Sequence, residues 1–447
     1  MVTAAPRPRT GPGTDRGETS SVTRVARSTT TTPGRLTIMA VALLVVTAVT
    51  GIVAALTLQA KQDTLDDLVE HREPLAAAAQ QIFRSLSDAD ATAASAFLSG
   101  GVEPQALRDR YELDLAQAGA ALGKASSDVG GDSLAGDQVA ILSQQLPVYS
   151  GLVETARANN RQGFPAGAAY LREASTLMRA KLLPAAEKLY EIDYDRLQAE
   201  QEDARSIPWA AIVLFVVLAA ALVLTQRYLT RKTNRLLNIG LVTASAALVV
   251  ALVWSSAALL VMSAHVGDAE RNGSQQVDVL VRARINALKA RADETLTLVA
   301  RGDGPGYEQE WKQLSTTLVG DGPDNLLRQA KALAAGGATA DQLQQAVDNA
   351  AAWVAAHRKI RELDDGGQYE DAVKAAIGDA PDSAATAFAK LDQNMIAALN
   401  AGRTEFFTQT SGAGKALTGL VPGVAVLALI AAAGITLGIR ERLREYR

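Results

Sequence analysis

The chain has 447 residues, 44 of them basic and 48 acidic, with 48% hydrophobic and only 4% aromatic content, enough length for two or three domains. Cysteine is absent, which excludes disulfides, a lipoprotein anchor and thiolate metal sites. The three histidines, His71, His265 and His357, stand far apart, and none has the one-turn partner and carboxylate that a zinc site requires.

Residues 1–35 are rich in Thr, Ser, Pro, Gly and Arg, with few large apolar side chains. Such a segment cannot bury enough surface to offset its ordering entropy and is expected to be a disordered cytoplasmic tail. Its Thr30, Thr31 and Thr32 are candidate phosphoacceptors for a cytosolic kinase, where added charge could switch a contact. Residues 36–60 form an uncharged run of 25 residues, longer than the apolar core of a signal peptide, and read as an uncleaved first span.

Residues 61–205 should form a first external bundle. Leu65, Leu68, Leu75, Ala79, Ile82, Leu86, Ala89, Ala93 and Ala96 follow the 3-4 spacing of a bundle seam, interrupted at Arg72. A kink is expected at Glu73-Pro74. Helices over 104–126, 134–160 and 165–205, the last bent at Pro184, complete an antiparallel four-helix bundle.

The middle of the chain holds two apolar runs, 206–226 and 236–264, joined by the basic link 227–235. Each can cross the roughly 30 Å hydrocarbon core, which takes about 20 helical residues. A second external bundle follows over 265–415, with Val281, Ile285, Leu288, Ala292, Thr295 and Val299 as its first seam. A fourth span covers 416–439 and a short tail 440–447.

The first tail, the link and the last tail together carry net +10, whereas the remainder carries net −14. This positive-inside asymmetry places both tails and the link in the cytoplasm of a multi-pass plasma-membrane protein. Arg231, Lys232, Arg235, Arg442 and Arg444 are then the candidate contacts for a cytosolic partner.

The two external segments also resemble each other. Gly100 corresponds to Gly302 at a shift of 202, and Tyr149 through Gly163 to Trp353 through Gly367 at a shift of 204. A near-constant offset points to internal duplication. The expected fold is therefore all-α: four transmembrane helices with two extracytoplasmic antiparallel bundles.

Chemistry is expected to be absent. His71 and His357 fall among helical surface residues, and the acidic groups Asp66-Asp67, Glu191-x-Asp193-x-Asp195 and Asp364-Asp365 read as solvated faces. No glycine-rich loop follows a strand, and the spans carry no charge of the kind that marks ion pathways. The reading is a non-enzyme with no cofactor or metal and no nucleic-acid partner. The bilayer is its solvent, and a homo-oligomer is compatible with it.

The Arg/Thr-rich tail, four spans, two helical segments of about 150 residues and the ending Arg442-Leu-Arg-Glu-Tyr-Arg447 resemble the GlnX-type membrane proteins of actinobacteria. That resemblance implies a receptor relaying external glutamate or aspartate availability from a solute-binding lipoprotein to a cytosolic Ser/Thr kinase, the protein kinase G pathway, in control of nitrogen metabolism. The helical segments also resemble chemoreceptor sensor domains. Two other readings stay open: a direct small-ligand sensor, and a structural scaffold of an envelope complex.

Overall fold

A computed structural model describes residues 32–100, 102–128, 133–233, 238–301, 304–322, 325–334 and 336–444. Among the described residues there is no strand. In chain order the helices are α1 (Thr32–Asp67), α2 (Glu73–Leu98), α3 (Gln105–Asp128), α4 (Ser133–Arg161), α5 (Ala166–Leu177), α6 (Leu183–Arg205), α7 (Trp209–Thr233) and α8 (Ile239–Asp268). They continue with α9 (Gln276–Val299), α10 (Pro305–Val319), α11 (Leu326–Ala332), α12 (Gly337–Asp365), α13 (Tyr369–Ile377), α14 (Ala384–Leu417) and α15 (Leu420–Arg444).

Four helical stretches have the length and composition to cross a bilayer, with mean hydropathies of 2.6, 2.8, 2.2 and 2.4 in their most apolar windows. They make the chain a multi-pass membrane protein. Two compact units result: Met1–Gln59 with Pro208–Ala257 and Gly419–Arg447, and Ala60–Ile207 with Ala258–Thr418.

The first unit exposes an apolar stripe on α1, Ile38, Val41, Val45, Val49, Ile52 and Leu56, at helical spacing. Such a stripe would be costly in water and is at home in lipid. Internally, small residues let backbones approach. A Cβ at Gly240 would fall on the Gly434 carbonyl and within 2.6 Å of Gly438 Cα. Gly434 and Gly438 sit four residues apart, the spacing that lets membrane helices approach closely. Asn238 Nδ2 adds a hydrogen bond of 2.8 Å to the Gly438 carbonyl.

In the second unit, every seam residue expected from periodicity is buried, from Leu65 through Ala96 and from Val281 through Val299. The kinks expected at Pro74 and Pro184 take a specific form. π-helical turns at Leu68–Arg72 and Met178–Leu182 lie just before them, so that each proline, which has no N–H to donate, falls directly after the extra residue in a helix that runs on. A third π-turn, Ala269–Gln275, has no proline. Its Gly273 lies so close to α14 that a Cβ would meet Phe406 Cβ at 2.8 Å.

The helices α2 to α6 pack together, as do α9 to α14, and the two segments join through α2 against α9. As a consequence most of α9 is buried, Arg284, Arg291, Asp293 and Glu294 included, and every residue from Ala290 to Val299. Arg284 is neutralised by a bidentate pair with Asp392 at 2.5 and 3.0 Å.

Candidate functional site

Polar groups inside this unit gather at two centres. In the first, Asp90 on α2 is 2% exposed. Its Oδ1 accepts hydrogen bonds from the Tyr149 hydroxyl on α4 at 3.2 Å and from Ser175 Oγ on α5 at 3.0 Å. Burial pushes both the Asp90 carboxyl and the Tyr149 phenol above their ordinary ranges.

The second centre surrounds Glu294 on α9. Its Oε2 accepts from Trp353 Nε1 and pairs with His357 Nδ1, each at 3.1 Å, while Arg291 closes on Oε1. His357 Nε2 lies 3.0 Å from Glu308 on α10. The imidazole stacks on Trp311 at 3.4 Å between ring centroids and 11° between planes. Trp353 in turn meets Phe388 edge-on at 5.2 Å. Burial alone would disfavour the His357 cation, but hydrogen bonds and charge from Glu294 and Glu308 outweigh it and raise its pKa above 6.5. The geometry agrees, because only an imidazolium can donate to two carboxylates at once.

Arg179 links the two centres. It sits on the π-turn Met178–Leu182, is ion-paired to Asp293 next to Glu294, and reaches Glu310 at 3.3 Å. Its charge also acts on Asp90. Asp293 is fully buried, and desolvation, only partly offset by Arg179, pushes its carboxyl up to about 7. Nearby, Lys289 pairs with Glu187 at 2.9 Å, and Tyr190 donates to Asp278 at 3.2 Å. Ser87, Asp90, Arg179, Lys289 and Glu310 line a cavity of about 110 Å³ between the two segments.

Two expectations are corrected here. His357 is 2% exposed, not a surface residue, because α10 covers the α12 face that carries it. Asp193 is also buried rather than solvated, with Arg196 3.7 Å away. His265 is half-buried, with Nδ1 2.6 Å from Gln409 Oε1. Among the described residues, no group of acidic, His or Cys side chains could hold a metal.

Of the residues singled out for cytosolic contacts, Arg231 is exposed near the end of α7, and Arg444 is exposed at the end of α15. Lys232 and Arg442 lie in those helices, but their side chains are outside the described residues, as is the whole of Arg235. Thr30 and Thr31 also fall outside, and Thr32 is the first residue of α1 with its side chain undescribed. Sequence reading missed Asp90, Arg179, Asp293, Glu294 and His357. One signal was available: Asp90 and Glu294 each precede an aromatic partner by 59 residues, Tyr149 and Trp353.

Residues 64–202 match the family model of the actinobacterial sensor domain. No curated protein and no solved structure matches the chain. The matched stretch contains the Asp90–Tyr149–Ser175 centre and Arg179.

Proposed function

We propose that the protein is a non-enzymatic transmembrane signal transducer, with α2–α6 and α9–α14 as its extracytoplasmic sensing part. The carrying observation is that a stretch matching a sensor domain lies between two apolar, membrane-length helices. A packing change there could pass along α1 and α8 as a small helix shift. The 227–235 link and the tails are the cytosolic readout, with Arg231, Lys232, Arg235, Arg442 and Arg444 as contacts and Thr30–Thr32 as phosphoacceptors. The resemblance noted above supplies the partners: a solute-binding lipoprotein reporting glutamate or aspartate outside, and a Ser/Thr kinase inside.

Internal duplication belongs to the same proposal. It is supported by the repeated buried carboxylate–aromatic pair at a shift of 204, and by Gly163 and Gly367, both at positive φ after helices α4 and α12. The two π-turns Leu68–Arg72 and Ala269–Gln275 add a third correspondence. Deletion of the gene should abolish amino-acid-dependent phosphorylation of the kinase's substrates, and the full chain should capture both partners. Phosphorylation that stays amino-acid-dependent after deletion refutes the relay. The polar cavity between the segments favours a second reading, direct sensing of a small ligand.

A further inference from the structure

The cavity between α2 and α9 contains more polar capacity than the protein itself uses. Ser87 is 3% exposed, lines the cavity, and its Oγ has no hydrogen-bond partner. The Arg179 Nε is likewise buried without one. Buried polar atoms are almost always satisfied, so two orphans in one small cavity need an explanation. The lining also carries both signs: Arg179 and Lys289 against Asp90 and Glu310. Glu310 is the least secure of these. Its side chain is 54% exposed, and its 3.3 Å contact with Arg179 is of the solvent-screened kind that contributes little.

We infer that this cavity binds a small α-amino acid as its zwitterion, with the ligand carboxylate displacing Glu310 from Arg179. In this arrangement the carboxylate lies between Arg179 and Lys289, the ammonium faces Asp90, and Ser87 Oγ gains a partner. The volume of about 110 Å³ is well beyond the roughly 10–15 Å³ that a single water needs, which leaves room for a small amino acid such as glycine or alanine. The occupant would touch α2, the Met178–Leu182 turn, α9 and α10 together, so its binding would favour one packing of the two segments over another. This inference deepens the direct-sensing reading and rests on it.

The test is a thermal-shift and calorimetric titration of the full-length chain in nanodiscs with glycine, L-alanine, L-glutamate, acetate and methylamine. Glycine or L-alanine should raise the melting temperature saturably, while acetate and methylamine leave it unchanged. Glu310→Gln should tighten binding about two- to fivefold by removing the internal competitor. Lys289→Gln should weaken it about tenfold or more, as loss of a charged hydrogen bond does. Melting of each ligand-free variant checks that it is folded. A response to acetate equal to that to alanine, no response to either small amino acid, or affinities unchanged in both variants overturns the inference. Absent binding alongside intact amino-acid-dependent phosphorylation sinks this site and leaves the relay standing. Binding without any phosphorylation effect does the reverse.

Discussion

Replacing Asp293 by Asn isolates the cost of burying one carboxylate at the joint between the two segments. Its carboxyl is raised from an ordinary 3.8 to about 7, chiefly by desolvation. Between those values the folded chain holds a proton that the unfolded chain has lost. The contribution to stability is therefore complete below pH 3.8 and disappears as pH rises through about 7. A shift of about three units at roughly 1.4 kcal/mol each is worth about 4 kcal/mol in all, of which about 3 kcal/mol develops between pH 5 and pH 8. Asn has the same shape and no charge, and Arg179 keeps its contact with Glu310. Thermal melts of wild type and Asp293→Asn across this range should show the variant gaining on wild type by roughly 4–5 °C, the shift expected for a folding unit of about 300 residues. A difference that stays constant with pH, or one that shrinks as pH rises, refutes the reasoning.

Two further outcomes follow from the packing. Trp353→Phe removes the indole N–H from the buried Glu294 and should cost about 1–3 kcal/mol, read as a lower melting temperature; an unchanged melt contradicts the assigned hydrogen bond. Gly240→Ala should lower thermal stability in detergent, because its Cβ has no room beside Gly434 and Gly438. Gly119→Ala, with nothing within 4 Å of its Cβ, should be neutral or stabilising, and equal behaviour of the two variants would rule out the close helix approach.

The helices and their inward faces were legible in the sequence because periodicity reports which side of a helix is apolar. The burial of Leu65 through Ala96 and of Val281 through Val299 follows directly. Periodicity cannot report which charged side chains a second segment will cover. Arg284, Asp293 and Glu294 of α9 are all buried, although charged side chains in a helical pattern ordinarily face solvent. His357 was missed for the same reason: Arg358 and Lys359 follow it directly, and Trp311, which covers it, lies 46 residues away. The matched sensor domain covers only the first segment, so the Glu294–His357 centre had no counterpart signal except its spacing from Trp353.

The π-turns carry a consequence for timing around the helix axis. An α-helix advances about 100° per residue, so a turn that closes i to i+5 holds one residue more than its neighbours and resets the angular phase of everything beyond it. Leu68–Arg72 and Ala269–Gln275 place that reset shortly after the first and third apolar runs, and Met178–Leu182 places it at Arg179. Moving such a turn by one residue would rotate a local stretch of side chains while leaving the helix on either side intact. At Met178–Leu182, that motion would swing Arg179 toward or away from Asp293.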